Sequence, residues 1–285
     1  MTPAALALVL LAPAAPRPEP LVTYAVVETL RSVTPRGSRE RAWSGTVAVA
    51  GGRARFGLTG SAFPQTRATL ALSGAAGVTL VDLGEKVAAT AAPEEFFALY
   101  RPASEEAGPA AARLADVSVA VTPGGPGRPR DGVPTTRWAV ALSWTMTLSE
   151  PGRIVTVTHA TKGTVDVADG FEDARSPFDD LSRLFVARGE AREKLDAELG
   201  KITGLPVAVS LESESEVSSE AAGLPGGGPA ERAAAPVKST STATRTVTAL
   251  SRRARTAADD ALFLLPDDVR TRSLDRLLSP RPALP

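Results

Sequence analysis

The sequence feature that most constrains the fold is the run of residues 137–148, where large apolar side chains alternate strictly with small or polar ones. The apolar positions are Trp138, Val140, Leu142, Trp144, Met146 and Leu148. Successive side chains of a β-strand point to opposite faces, so this pattern predicts a long strand with one buried side. Pro151-Gly152 is a turn signal, and residues 154–167 alternate again. The sequence therefore predicts a long β-hairpin.

The first ninety residues predict a meander of antiparallel strands. Val22, Tyr24 and Val26 share one face of a first strand, and the run 43–50 alternates in the same way. Gly51-Gly52 then predicts a hairpin turn, because glycine tolerates the positive φ that two-residue loops require. Further alternating runs with glycine-bearing turns between them continue to residue 90.

Two segments have helical signals. Residues 93–99 carry acidic side chains in their first turn and predict a short helix. Ser176-Pro177-Phe178-Asp179 combines a serine cap, an early proline and an acid three residues after the cap, which predicts the start of a second helix. Its apolar stripe is Phe178, Leu181, Phe185, Leu195, Leu199 and Ile202. Gly189 is a place where this helix can divide, and Gly204 predicts its end.

The other segments complete a single domain over residues 21–268. Residues 117–121 and 206–217 predict strands, and the threonine-rich run 239–250 predicts a last strand at an exposed or edge position. Insertions are expected at residues 101–114, 122–134 and 219–236, with a flexible tail from 269 to 285. The predicted fold class is mainly β (α+β), a curved antiparallel sheet or unclosed β-barrel with one or two helices packed across it.

Composition excludes several function classes. Lys plus Arg and Asp plus Glu both number 32, so no net field attracts nucleic acid. The absence of cysteine excludes disulfides, thiolate metal sites and cysteine nucleophiles. The hydrophobic content of 43% and the charged content of 22% are those of a folded globular chain.

The N-terminus predicts export. Residues 4–12 are small or apolar, and Ala12-Pro13-Ala14 resembles a signal-peptidase site. We therefore expect a signal peptide at 1–14, a spacer at 15–20 and a periplasmic or secreted protein. A buried N-terminal strand or a disordered Ala/Pro leader is the alternative.

Catalytic and metal-binding patterns are weak. His159 is the one histidine and lies mid-strand beside Val155 and Val157, and no G-x-S-x-G motif presents a serine. The acids near Gly170 match no EF-hand spacing and favour a solvated turn; they are Asp166, Asp169, Glu172 and Asp173. We expect no enzyme activity, no cofactor and no metal.

Large apolar side chains are the remaining candidate site. As cavity-lining, ligand-binding residues we select Trp43, Phe56, Trp138, Trp144, Met146, Phe178 and Phe185. A cavity between a curved sheet and a helix would hold an acyl chain. An ordinary filled core is the alternative interpretation.

The order of elements resembles the outer-membrane lipoprotein carrier (LolA/LolB-like) superfamily, in a poorly characterised branch. The resemblance covers residues 21–268 and rests on VTLVDLGEKVAA, DGVPTTRWAVALSWTM, PFDDLSRLF, GLPVAVSLE and LFLLP. It implies an exported protein with an unclosed β-barrel that holds acyl groups. We therefore expect a non-catalytic protein that binds a lipid or other apolar ligand, and we also expect a monomer with a peripheral membrane or envelope-protein partner. An envelope structural or interaction module with a filled core is the alternative. For the inward-facing arginine of that superfamily, Arg67 and Arg137 are equal candidates.

Overall fold

The protein is one large β-sheet with short helical segments on its faces. The computed structural model describes residues 19–60, 66–98, 112–150, 153–187, 189–221 and 235–278. The strands are β1 (Pro20–Thr34), β2 (Gly37–Ala50), β3 (Arg53–Thr59), β4 (Leu70–Gly74), β5 (Gly77–Asp82), β6 (Val87–Ala91), β7 (Ala112–Pro126), β8 (Thr135–Glu150), β9 (Arg153–Ala168), β10 (Leu205–Ala221), β11 (Val237–Ala254) and β12 (Arg270–Thr271). The α-helices are α1 (Pro93–Ala98) and α2 (Gly189–Leu199).

The strand order is β12-β6-β5-β4-β3-β2-β1-β11-β10-β9-β8-β7. Every pairing is antiparallel except the two-residue parallel contact of β12 with β6. Among the described residues the edge strands β12 and β7 do not pair with each other, so the sheet is not closed. The predicted fold class is confirmed.

The meander and the long hairpin lie where the alternating patterns predict them. Gly51 and Gly52 adopt φ of +57° and +71°, the left-handed values that a tight hairpin turn needs. In the second hairpin, Trp144 of β8 stands opposite His159 of β9. Residues 151 and 152, the predicted turn of this hairpin, lie outside the described residues. The short helix predicted at 93–99 is confirmed as α1.

The sheet has an inner face, which carries the main apolar core, and an outer face. Even-numbered residues of β8 and odd-numbered residues of β9 point inward, so Val140, Leu142 and Val165 are all buried. Gly163 allows β9 and β10 to approach closely, because a Cβ there would overlap the backbone of Ser210 and Leu211. This close approach occurs on the inner face, where β8, β9 and β10 meet the covering elements.

The second predicted helix differs from the structure. Residues 177–179 and 181–184 form short 3-10 turns, and only 189–199 is α-helical. The predicted Ser176–Asp179 capping box is present, but Asp180 then accepts a hydrogen bond from the Ser182 N–H. Such side-chain bonds to the backbone compete with helix propagation. Gly189, at φ +46°, begins α2, so the division expected at this glycine is found.

The threonine-rich strand β11 is not an edge strand. It lies between β1 and β10 in the middle of the sheet, over Val237–Ala254 rather than 239–250. Its threonines at 240, 242, 244 and 246 alternate with inward-facing Ala243, Arg245 and Val247. The exposed outer face, and not a free backbone edge, accounts for the polar composition.

The predicted insertions and tail are more ordered than expected where they are described. Residues 112–114 and 122–126 belong to β7, and 219–221 belong to β10. Residues 101–111 and 222–234 lie outside the described residues. In the predicted tail, Arg270 and Thr271 pair with β6, and Leu277 is only 1% exposed. The tail is therefore attached at least as far as residue 278, because backbone pairing and apolar burial both hold it.

The C-terminal strap, which we define as residues 255–269, crosses the outer face of the N-terminal strands. Its Leu262 and Phe263 pack on Leu21 and the end of β2, while Leu265 and Val269 pack on Leu70, Leu72, Val81 and Ala88. Asp260 receives hydrogen bonds from Arg53 and Arg255. In the described part of the chain, no helix has the length and hydropathy needed to cross a membrane.

Candidate functional site

The candidate site is the interior between the inner face of the sheet and the residues that lie across it. We define residues 169–204 as the covering segment; it connects β9 to β10. Its Phe171, Ala174 and Phe178 pack with the N-terminal strands, and its Leu181, Phe185 and Leu195 pack with β8 to β11. The segment therefore covers inward-facing side chains from both ends of the sheet.

Three of the predicted lining residues meet under the N-terminal strands. The ring centroids of Trp43 and Phe56 are 5.4 Å apart, and those of Phe56 and Phe178 are 5.1 Å apart. Phe96 of α1 adds an edge-on contact to Phe178 at 5.8 Å. Phe56 and Phe178 are buried, whereas Trp43 is half-buried at the border of this cluster. Aromatic side chains of the protein itself occupy this part of the interior.

The other four predicted residues belong to a second cluster. Trp144, Met146 and Phe185 are buried, and Trp138 is half-buried against them. The Trp144 indole N–H donates to the Val186 carbonyl at 2.9 Å, which fastens the covering segment to β8. The structure thus brings all seven residues to the covered interior but distributes them over two apolar clusters. In this arrangement Phe178 and Phe185 fill space that a ligand would need.

A buried ion pair, absent from the sequence predictions, lies in the interior. Arg245 of β11 is 1% exposed and pairs with Asp179 of the covering segment, which is fully buried. The same carboxylate accepts hydrogen bonds from the Tyr24 hydroxyl at 2.7 Å and the Ser176 hydroxyl at 2.6 Å. Arg245 also donates to the Phe178 carbonyl at 3.1 Å, while its Nε has no hydrogen-bond partner. Burial, followed by the nearby Asp179 charge, raises the pKa of Tyr24 well above its ordinary value.

A second ion pair lies beside the first. Arg183 of the covering segment donates two hydrogen bonds to Glu28 of β1, at 2.7 and 2.6 Å. Its guanidinium also stands 5.4 Å from the centre of the Trp43 ring. Glu28 is directly opposite Arg245 in the register of β1 and β11. Two carboxylates and two guanidiniums therefore balance one another where the covering segment meets the two central strands.

The two arginines considered from sequence are elsewhere. Arg67 is exposed, and Arg137 pairs with Asp166 through hydrogen bonds of 2.6 and 2.8 Å. Those bonds lower the pKa of Asp166. The position of Arg245 has a weak sequence signal, since it shares its strand face with Ala243 and Val247. This signal indicates a buried arginine only if β11 is known to be a central strand, because only then is that face covered.

His159 lies on the inner face beneath Trp144, with ring centroids 5.0 Å apart. Its Nδ1 is 2.7 Å from the Ser215 hydroxyl, and its Nε2 is 2.9 Å from the Thr161 hydroxyl. Burial lowers the pKa of His159 to about 4, so the ring is neutral near pH 7. Both ring nitrogens of His159 therefore contact hydroxyl groups. In a catalytic triad one nitrogen contacts the nucleophilic hydroxyl and the other contacts a carboxylate.

Three of the acidic residues near Gly170 each contact a different partner instead of converging on one point. Asp166 binds Arg137, Asp169 accepts from the Thr136 hydroxyl at 2.9 Å, and Asp173 binds Arg252 at 2.8 Å. Over the described ranges, no group of three or more His, Asp or Glu side chains is arranged to hold a metal ion.

Comparisons with known proteins assign no family. No protein-family model and no curated protein matches the chain. Among solved structures, the crystal structure of Neisserial surface protein A (NspA) aligns with 79% of this chain and 96% of its own, at 7% identity and a TM-score of 0.12. A TM-score this low does not establish a common fold.

Proposed function

We propose that this protein is an exported, non-catalytic binding protein that holds a lipid or other apolar ligand between the inner face of its sheet and the covering segment. The observation that carries the proposal is the way the interior is closed. A curved, unclosed apolar sheet is covered by short 3-10 turns and one α-helix, and two Arg–carboxylate pairs fasten that cover. The apolar run at residues 4–12 and the Ala12-Pro13-Ala14 site support export and a periplasmic or secreted location.

The ion pairs support a cover that can separate from the sheet. A well-packed apolar contact is often at least as stable as a buried ion pair, because removing two charges from water costs more than their attraction returns. When the covering segment moves away, Asp179 and Arg245 recover their hydration, which apolar side chains cannot do. Such a pair fixes one closed arrangement while it lowers the cost of opening.

The opened interior would suit an apolar ligand. Withdrawal of Phe178 and Phe185 uncovers Phe56 on one side and Trp144 and Met146 on the other. These side chains form two apolar surfaces on one continuous sheet. The ligand would then replace contacts that the covering segment makes in the closed form.

A reversible crosslink tests this proposal, and the chain offers a clean background because it has no cysteine. In the Glu28→Cys/Arg183→Cys variant, a bis-methanethiosulfonate reagent should tie the covering segment to β1. We expect the free dithiol protein to take up a fluorescent fatty acid, the crosslinked protein to lose that uptake, and reductant to restore it.

Thr156→Cys/Ser218→Cys is the matched control, since these residues are neighbours across β9 and β10 on the outer face. Crosslinking there should leave uptake unchanged. Equal uptake by the open and crosslinked inner-face variant would contradict a ligand in the interior. If the wild-type protein took up no fatty acid and native mass spectrometry found no co-purified lipid, the proposal would be wrong.

The second candidate is an envelope interaction or structural module whose interior is permanently filled. The observation that favours it is that Phe178 and Phe185 already occupy the two clusters. For such a core, Trp144→Ala should destabilise the protein by about 3 to 5 kcal/mol. That loss together with failed uptake would support the module and exclude the binding protein.

A further inference from the structure

A cleft of about 550 Å³ lies where the ends of β5 and β6 meet the C-terminal residues. The residues that line it are Arg67, Asp82, Glu85, Val87, Arg272, Arg276 and Leu277. Three segments distant in sequence thus contribute arginine or carboxylate side chains to one concave surface.

Backbone hydrogen bonds fix the positions of the three arginines. The Arg67 N–H donates to the Leu277 carbonyl at 2.9 Å, and the Arg272 N–H donates to the Ala88 carbonyl at 2.7 Å. The Arg276 N–H closes a tight turn onto the Ser273 carbonyl at 3.1 Å. The cleft is therefore built on paired backbone, although its arginine side chains are exposed.

The arginines of this cleft have no ion-pair partner among the described residues. Across the described residues, Arg67, Arg272 and Arg276 make no ion pair, whereas Arg53 of β3 and Arg255 of the strap both pair with Asp260. Asp82 is committed to the turn of its own chain, because its carboxylate accepts from the N–H groups of residues 84 and 85 at 2.9 and 3.0 Å. Three guanidiniums that share a cleft without partners create a local positive field.

We propose that this cleft binds a phosphate group, either of a free phosphate ester or of a lipid headgroup. Guanidinium forks match the oxygens of phosphate, and several forks can contact one phosphate at once. A carboxylate offers two oxygens and would leave part of this set unused. Asp82 and Glu85 also line the cleft and reduce its net positive charge, so we expect binding to depend on direct guanidinium–phosphate hydrogen bonds more than on long-range attraction.

The position of the cleft bears on the source of the phosphate. Leu277 lines the cleft and also belongs to the inner apolar cluster of the N-terminal strands, and Val87 packs on that cluster. An apolar chain attached to the phosphate would lie beside these two side chains. The phosphate site itself does not depend on ligand binding in the interior.

Calorimetric titration tests the site with inorganic phosphate and with lysophosphatidic acid below its micellar concentration. The wild-type protein should bind both, and the variant R67Q/R272Q/R276Q should lose about tenfold or more in affinity, since charge-assisted hydrogen bonds to phosphate are removed. Tighter binding of the lysolipid than of phosphate, if that advantage is lost in the cleft variant, would assign a lipid headgroup, and equal binding would assign a free phosphate ester.

The matched control is R36Q/R39Q/R41Q, which removes three exposed arginines from the hairpin of β1 and β2 and changes the net charge equally. This control should bind phosphate as the wild type does. Equal losses in both triple variants, or no binding by the wild type, would overturn the proposal. Should the cleft variant fail to fold, the three single Arg→Gln variants replace it, and affinity unchanged in all three would also overturn the site. Lysolipid uptake that survives in a folded cleft variant whose phosphate affinity is also unchanged would overturn the site but leave interior binding intact.

Discussion

The two halves of the sheet differ in how many of their faces are covered. Strands β1 to β6 lie between the covering segment on the inner face and the C-terminal strap on the outer face. Strands β7 to β10 have apolar cover on the inner face, and their outer face carries small or polar residues such as Ala139, Ala141 and Thr145. The same sheet is thus a middle layer at one end and a surface layer at the other.

This difference explains the two kinds of strand sequence. In β5 both faces are apolar or nearly so, with Leu80 inward and Val81 outward, and both are fully buried. In β8 the strict alternation follows from one solvated face. The two central strands β1 and β11 join the halves, and the paired charges of Glu28 and Arg245 lie there.

The largest loss of stability should come from breaking the buried ion pair of Arg245 and Asp179, which lies where β1 and β11 join the two halves. Arg245→Met leaves Asp179 buried without its cation, and we expect a loss of about 3 to 5 kcal/mol in the free energy of unfolding, measured in urea. The control Arg137→Met breaks the pair of half-exposed Arg137 with Asp166 in the second half and should cost less, because water reaches the guanidinium and screens this pair. A loss in Arg245→Met that is no larger than a small loss in the control would show that stability does not depend on the buried pair.

A smaller loss of stability should distinguish the covered outer face of the N-terminal half from the open outer face of the second half. Leu70 of β4 faces the strap and is 1% exposed, whereas Ile154 of β9 is on the open outer face and is 38% exposed. Leu70→Ala should cost about 2 to 5 kcal/mol because it leaves a cavity, and Ile154→Ala should cost below about 1 kcal/mol. Similar urea midpoints for the two variants would contradict double coverage of the N-terminal half.

The smallest effect should be a pH dependence of stability that arises from His159, on the inner face of the second half. The pKa of His159 is about 4 in the folded protein against 6.5 ordinarily, so between these values the unfolded chain binds the additional proton. His159 should therefore reduce stability as the pH falls from about 6.5 to about 4. His159→Gln should make unfolding curves less pH-dependent in this window, and an unchanged dependence would place its source elsewhere.

Much of the fold could be predicted because alternation is local. The run 137–148, the Gly51-Gly52 turn and the acidic start of α1 each specify their own geometry through side-chain period, allowed φ or helix dipole. The helix predicted from residue 177 was wrong in form, since Asp180 bonds to the backbone and favours short turns. Of the two positions predicted for β11, exposed or edge, the structure shows the exposed one, because threonine content reports an exposed face and not the neighbours of a strand.

The candidate site was less predictable than the fold. Phe56, Trp144 and Phe185 could be selected because large apolar side chains at inward positions become buried. Asp179 and Arg245 are 66 residues apart and become partners only through the covering segment. The cleft arginines Arg67 and Arg272 are likewise brought together by the return of the chain to β6.

By itself the sequence determined which segments are strands, which of their faces are apolar and where the tight turns occur, because these properties depend on neighbouring residues and backbone sterics. The tertiary structure decided the order of the strands, the cover on each face and the pairing of buried charges. Those features depend on which distant segments exclude water from the same surface, and side-chain periodicity carries no information about that choice.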